Sequence, residues 1–422
     1  MKKIYVLLVC TLLLMTGCAP NMNEDEVVQK NDEKANQERS IVPSYRLSEE
    51  NYKMILPYRP SAARGVITNQ MGNRVDIDEM EEGLRRHSKA IFDPEKYYFE
   101  EGQYLTEDMV YDWLGRMPNK EELEEMVKEK VKRLEDDGHN VDEEDKEKIR
   151  KDLQQGLNPK LDDLDLEGLD KDAKKEKEIE NQRENPRYLS HILEQNFLKK
   201  NEDKSAELVG VSIGIALKSV YRFQTEIGGP YYYEDISKDK MLKQGKKVAQ
   251  TILKRVRQIE ELKNVPIMIA LYREEDQGSP VPGNYVAKTA VKGGVTEIDE
   301  WNAIGEEYIL FPSDEGEEKY YDDSQLVDNF GKEIQEYFPN YVGVIGEGFY
   351  IKEELKKLTL TVPIEFYGKG EVIGFTQYAY GLVKEMFPDY YDLEIKIKSN
   401  DKLESLIYRN AGVDDPTVHI LH

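Results

Sequence analysis

The sequence predicts an α+β fold, mostly antiparallel sheets with packed helices, preceded by a charged helical segment. Three observations carry this. Apolar residues alternate along short segments from Asn185 onward, as in Leu208–Phe223, where Val209, Val211, Ile213, Ile215 and Leu217 share one face. Helix-period stretches lie between such segments, as in Lys238–Leu262 with its stripe of Val248, Ile252, Val256 and Ile259. The strand-like segments outnumber the helical ones and are joined mostly by short turns, which favours antiparallel sheets over a doubly wound parallel sheet.

In chain order, 45–116 is a compact mixed segment with acid-led helix starts near Asp78 and at Thr106-Glu107. Leu123, Met126, Val127, Val131 and Leu134 then mark one amphipathic helix in a charge-dense stretch that reads as a solvated helical arm. Gly156-Leu157-Asn158-Pro159 and the acidic run after it read as a loop. Beyond Leu208–Phe223, strands are expected at Val265–Tyr272, Tyr285–Lys292 and Tyr308–Phe311, and a helix at Ser324–Phe338. Strands at Tyr341–Ile351 and Leu358–Tyr367, a helix at Phe375–Phe387, and strands at Leu393–Lys398, Ser405–Arg409 and Val418–Leu421 complete the chain. Val265-Pro266-Ile267 is echoed by Val362-Pro363-Ile364, which suggests a duplicated α+β unit with sub-repeats 185–312 and 313–422 inside a C-terminal domain 185–422. A mixed, helical, charged region, 45–184, precedes that domain.

The N-terminus is of a different kind. Met1-Lys2-Lys3 leads an apolar run from Ile4 to Met15, followed by Thr16-Gly17-Cys18. A charged start, a 7–15-residue apolar core and small residues at the cut make a secretory signal. The run is about 18 Å long as a helix, too short to span a bilayer. Cys18 directly after the small residues resembles the bacterial lipoprotein box, with Met15 where the box usually carries leucine. The resemblance implies cleavage between Gly17 and Cys18 of a 1–17 signal peptide, lipid on the Cys18 thiol, palmitate among its acyl chains, and anchorage on the outer face of the cell membrane. Cys10 leaves with the leader, so Cys18 is the sole cysteine of the mature chain and no internal disulfide forms. The polar stretch from Ala19 to Pro43 has six acids, three bases and few large apolar residues, so 18–44 reads as a lipidated, disordered tether.

A net charge of −25 and 34% charged residues argue against nucleic-acid binding, because such a surface repels phosphate. Motifs for chemistry are sparse. Gly210-Val211-Ser212-Ile213-Gly214 matches the G-x-S-x-G nucleophile elbow, but that elbow needs a sharp strand-to-helix turn. Here the motif lies inside a continuing strand, and its downstream bases could only be His419 or His422. An envelope hydrolase using Ser212 is therefore the alternative reading, not the first. Asp163-Leu164-Asp165-Leu166-Glu167-Gly168 resembles half a calcium loop, with Lys174 where the bidentate acid belongs. No metal-ligand spacing or phosphate-cradling loop occurs, so no cofactor or metal is expected. Tyr231-Tyr232-Tyr233, Tyr320-Tyr321 and Tyr390-Tyr391 read as turn residues half-packed on the sheets.

Several blocks together resemble the CamS family of sex-pheromone-precursor lipoproteins. They are Leu56-Pro57-Tyr58 with Ala63-Arg64-Gly65, Asp76-Ile77-Asp78-Glu79, Glu101-Gly102-Gln103-Tyr104-Leu105, and Tyr188-Leu189-Ser190-His191-Ile192-Leu193-Glu194-Gln195. Val281-Pro282-Gly283-Asn284, Phe338-Pro339-Asn340-Tyr341 and Gly374-Phe375-Thr376-Gln377-Tyr378 extend the likeness over most of the chain. The resemblance implies an exported, membrane-anchored α+β lipoprotein. In some members the leader releases a short hydrophobic peptide sensed by other cells, here the stretch from about Cys10 to Gly17. The body is then expected to be a non-enzymatic module binding an envelope protein or a cell-wall ligand. A transporter's substrate-binding lipoprotein would call for two lobes with parallel sheets, which the strand-rich pattern disfavours.

Overall fold

The computed structural model describes residues 25–29, 39–42 and 51–421, apart from 137, 202–204, 339, 366–367 and 401. The chain opens with β1 (Asp25–Gln29), β2 (Arg39–Val42), β3 (Lys53–Met54), α1 (Arg64–Gln70), α2 (Arg74–Ser88) and β4 (Tyr98–Glu101). Four helices follow: α3 (Glu107–Leu114), α4 (Lys120–Asp136), α5 (Glu143–Leu153) and α6 (Lys171–Glu184). Then come β5 (Leu189–Lys200), β6 (Ser205–Leu217), β7 (Val220–Phe223), β8 (Tyr232–Asp235), α7 (Lys238–Val256), β9 (Ile267–Arg273), β10 (Asn284–Val291) and β11 (Asn302–Ala303). The last third holds β12 (Glu306–Phe311), α8 (Asp314–Lys319), α9 (Tyr321–Tyr337), β13 (Ile345–Ile351), β14 (Glu354–Pro363), α10 (Lys369–Met386), β15 (Asp392–Ser399), β16 (Lys402–Arg409) and β17 (Thr417–Ile420).

These strands form a first sheet of order β11-β10-β9-β6-β5-β4-β3, a second of order β12-β13-β14-β15-β16-β17, and a β7-β8 hairpin. Most pairs are antiparallel, as expected. The parallel pairs include β6 with β9, joined through α7, and β14 with β15, joined through α10. The duplication is topological. Strands β4-β5-β6-β9-β10-β11 repeat as β12-β13-β14-β15-β16-β17, each series antiparallel except at its central pair.

Three expectations change accordingly. The second sheet starts at Glu306, not at residue 313, because β12 precedes its helices and pairs with β13. The Val-Pro-Ile echo is not the mark of the repeat: Val265-Pro266 leads into the strand after a helix, whereas Val362-Pro363 ends the strand before one. Nor is 45–184 a separate body. β3 and β4 extend the first sheet, and Met80 and Leu84 of α2 pack in one cluster with Phe197, Met268 and Tyr272.

Burial explains the patterning. The first sheet is covered on both faces, by α7 and α3 on one side and by α2 on the other, so β9 reads as an unbroken apolar run. The second sheet packs one face against α9 and α10, and β15 alternates buried Leu393, Ile395 and Ile397 with half-buried Glu394, Lys396 and Lys398. α2 starts at Arg74, earlier than the expected Asp78, because the Asn73 side chain caps it by accepting from the Val75 amide at 3.2 Å. α3 starts where expected, with Thr106 as its cap. Two strands fall inside the stretch read as a tether: β1 pairs with β2 and adds to the start of β6 at Val28↔Ser205. Val27-Val28 and Ile41-Val42 are β-branched pairs suited to pleated pairing, which an averaged composition conceals.

A buried ionic cluster joins the two sheets. Arg86 on α2 reaches Glu79 at 2.7 Å on its own helix and Glu306 at 3.1 Å on β12, with its guanidinium 4.7 Å from the Phe349 ring centre. His87 meets Glu306 at 3.1 Å, and the Tyr308 hydroxyl donates to Glu79 at 2.6 Å. Burial alone would push the Glu306 carboxyl up, but His87 and Arg86 hold it below the ordinary value. Removing one partner of such a buried pair leaves an uncompensated charge. Arg86→Met is therefore expected to lower stability by about 3–5 kcal/mol in urea unfolding, and adding Glu306→Gln should restore part of the loss.

Candidate functional site

The carboxyl ends of the parallel pair β6 and β9 place Lys218 and Glu274 side by side. Leu217 and Arg273 are in register, and the Glu274 amide donates to Leu217 O at 2.9 Å. A crevice at the carboxyl ends of parallel strands is where ligands bind in open α/β sheets. Here the crevice is a cavity of about 300 Å³, walled by Asn73 at the start of α2, Arg222 and Tyr233 of the hairpin, and the segment after β9.

Two parts of the chain hold the Glu274 carboxylate. Ser190, at the start of β5, donates its hydroxyl to it, and Lys218 Nζ lies 3.8 Å from the other oxygen. Burial pushes the Glu274 carboxyl up to about 7, with Asp76 raising it further and Lys218 opposing. Asp76, on the first turn of α2, accepts from the Tyr272 hydroxyl and the Gly283 amide, both at 2.7 Å. Burial raises the Asp76 pKa, and those two donors partly offset it. Gly283 is required by close approach, since a Cβ there would lie 1.9 Å from Arg273 O. Asn73 Nδ2 donates to Ser279 O at 2.9 Å, fixing the loop over the pocket. Arg222 lies 3.5 Å over the Tyr231 ring and donates to Gln277 Oε1 at 2.6 Å. The pocket is therefore lined by the cations of Lys218 and Arg222 together with the carboxylates of Glu274, Glu275 and Asp276. It is suited to a polar ligand carrying both charges.

The blocks 101–105 and 188–195 meet at a second, smaller cavity of about 40 Å³. Glu194 accepts there from the Gln103, Tyr104 and Leu105 amides, at 2.6 Å for Leu105. Burial drives His191 down to about 3, so it stays neutral. This cavity has room for only a few water molecules.

Ser212 is no nucleophile. It is fully buried in the middle of β6, and its Oγ lies 2.7 Å from Ser88 Oγ on α2. His419 sits on the outermost strand of the other sheet, and residue 422 lies outside the described residues. The glycines of the motif serve packing instead. A Cβ on Gly210 would lie 2.0 Å from the Phe92 ring, and one on Gly214 would lie 3.0 Å from the Tyr285 hydroxyl. A strand of small residues on this face lets α2 settle onto the sheet.

The remaining sequence readings divide. Gly17 and Cys18 lie outside the described residues. The Asp163–Gly168 run is mostly exposed, and among the described residues no group of three His, Cys, Asp or Glu is placed to hold a metal ion. Both tyrosine pairs have one ring out and one packed, since Tyr390 is exposed and Tyr391 buried, while Tyr320 stacks on Tyr350 at 3.7 Å and Tyr321 is exposed; in the run of three, Tyr231 and Tyr233 are exposed and Tyr232 is half-buried. Sequence reasoning missed Lys218, Glu274, Ser190 and Asp76 as one cluster. The available signal was a charged residue directly after each of two apolar strands, Leu217-Lys218 and Arg273-Glu274.

The fold and the pocket define a mixed α+β protein of two topologically repeated sheets with a polar crevice on the first. The match to the family model described as CamS sex pheromone cAM373 precursor spans residues 58–415, and the chain belongs to that family. Two solved structures are similar. The sex pheromone precursor of Lactobacillus salivarius subsp. salivarius is 29% identical with a TM-score of 0.73, covering 91% of this chain and 99% of that one. The C-terminal domain of the sex pheromone staph-cAM373 precursor from Staphylococcus aureus is 28% identical with a TM-score of 0.65, covering 84% of this chain and 98% of that one. Among curated proteins, none matches.

Two outcomes check the site. Gly210→Ala should destabilise the fold more than Ser212→Ala in urea unfolding, and a fluorophosphonate should leave Ser212 unlabelled. Glu274 ionises at about 7 when folded against 4.5 ordinarily, so the folded state holds a proton that the unfolded state releases between those values. The stability from this group is full below pH 4.5 and lost as pH rises to about 7. Glu274→Gln should flatten that part of the stability–pH curve; a variant curve parallel to wild type would contradict the assignment.

Proposed function

We propose that this chain is the precursor of an exported lipoprotein, with a leader that yields a short signalling peptide and a body that binds without catalysing. The leader 1–17 is removed between Gly17 and Cys18, Cys18 takes the lipid, and the mature protein is held on the outer face of the membrane. The observation that carries this reading is the order charged start, 12-residue apolar run, small residues and cysteine at Met1–Cys18. Membership of a pheromone-precursor family supports the second product, a hydrophobic peptide from about Cys10 to Gly17 sensed by other cells. Among the described residues no helix is long and apolar enough to cross a membrane.

The binding reading of the body rests on the Lys218–Glu274 pocket, which gathers charges of both signs, with buried Ser190 donating to Glu274. An envelope protein or a cell-wall fragment presenting both charges fits that chemistry. Mass spectrometry of the membrane-extracted protein tests the anchor: the N-terminal peptide should begin at a diacylglyceryl-modified Cys18. Cys18→Ala should leave the leader attached. An unmodified N-terminus on protein found wholly in the culture medium would refute it.

A further inference from the structure

Helices α4 and α5 form a hairpin arm with a small core of its own, Leu123, Val127 and Val131 against Val141, Ile149 and Leu153. A narrow neck ties the arm to the body, where Leu157 N donates to Trp113 O at 2.9 Å and Met117 N to Asn158 O at 2.9 Å. Between arm and body lies a groove of about 530 Å³, a size typical of ligand clefts. Its floor is apolar: Met109 and Trp113 from α3, Ile149 and Leu153 from the arm, and Ile259 just after α7. Its polar lining divides into acids, Asp112 and Asp152, and bases, Lys130 and Arg255. Arg255 lies 5.3 Å over the Trp113 ring and donates to Gln155 O at 2.7 Å. Burial, Asp108 and Asp152 push the Asp112 carboxyl up, and Lys130 opposes them.

We propose that this groove holds the peptide cut from the chain's own leader, Cys10-Thr11-Leu12-Leu13-Leu14-Met15-Thr16-Gly17. That segment lies outside the described residues and rests on the function proposed above. Once freed, the peptide has no charged side chain, three leucines and a methionine, and charge only at its two ends. The apolar floor matches the leucines, the Asp112–Asp152 pair matches the new ammonium, and Arg255 over Trp113 matches the new carboxylate. A leucine-rich peptide exposed to water gains by burial here, and the body acts as carrier of its own signal.

Trp113 makes the test direct, because the chain has two tryptophans and Trp301→Phe leaves Trp113 as the only reporter. The synthetic octapeptide is titrated into the chain from residue 19 onward, which keeps every described helix and strand. A saturable change in Trp113 emission is expected. Ile259→Asp and Ile149→Asp, each checked for an unchanged circular dichroism spectrum, should weaken binding about tenfold or more. A peptide with its leucines replaced by serine should not bind. The proposal is overturned by no saturable change, by equal binding of the serine peptide, or by folded variants that bind as tightly as wild type. Because the peptide is added, the result stands apart from whether the leader is cut before Cys18, which the mass spectrum addresses.

Discussion

Helix α2 carries six buried or half-buried ionisable groups, and the need to pair four of them determines how the rest of the molecule is placed. Asp76 looks to Tyr272 and Gly283, Glu79 to Arg86 and Tyr308, and Arg86 and His87 to Glu306. An unpaired charge in such surroundings is far more costly than a paired one. The helix also presents Met80 and Leu84 to the first sheet. One element thus supplies a face of the first core, the joint to the second sheet and the support for the loop over the polar pocket.

The repeated six-strand unit explains where the pocket lies. Each copy contains one parallel pair at its centre, and in the first copy the carboxyl ends of that pair leave Lys218 and Glu274 adjacent in space. In the first copy both faces are covered, so Glu274 is taken out of water, and Ser190 and Lys218 close around it. In the second copy one face stays open, and Lys357 and Lys396 pair with Glu394 at 3.3 and 3.2 Å on the exposed side. Exposed pairs of that kind contribute little and are screened. Covering the sheet, more than repeating it, makes the site.

Much of the fold was legible. Val211, Ile213, Ile215 and Leu217 share the face read from their alternation, and Val248, Ile252 and Val256 pack as the stripe of their helix. Helix α3 was readable from Thr106 because a cap is a local signal. β4 and the hairpin β7-β8 were not, since four-residue strands carry little pattern. The Gly-x-Ser-x-Gly spacing misled for a physical reason: a strand needs small residues wherever a helix approaches closely, and that requirement produces the same letters as a nucleophile elbow.

By itself the sequence determined the α+β class and the family, because periodicity, capping and short motifs act between residues a few positions apart. Only the tertiary structure decided what surrounds each charge. Asp76 and Gly283 are 207 residues apart, Ser190 and Glu274 are 84 apart, and Arg86 is 220 from Glu306. Pairing over such separations follows from sheet register and burial, and no local pattern encodes it. The crevice, the joint between the sheets and the groove beneath the arm therefore exist only in the folded chain.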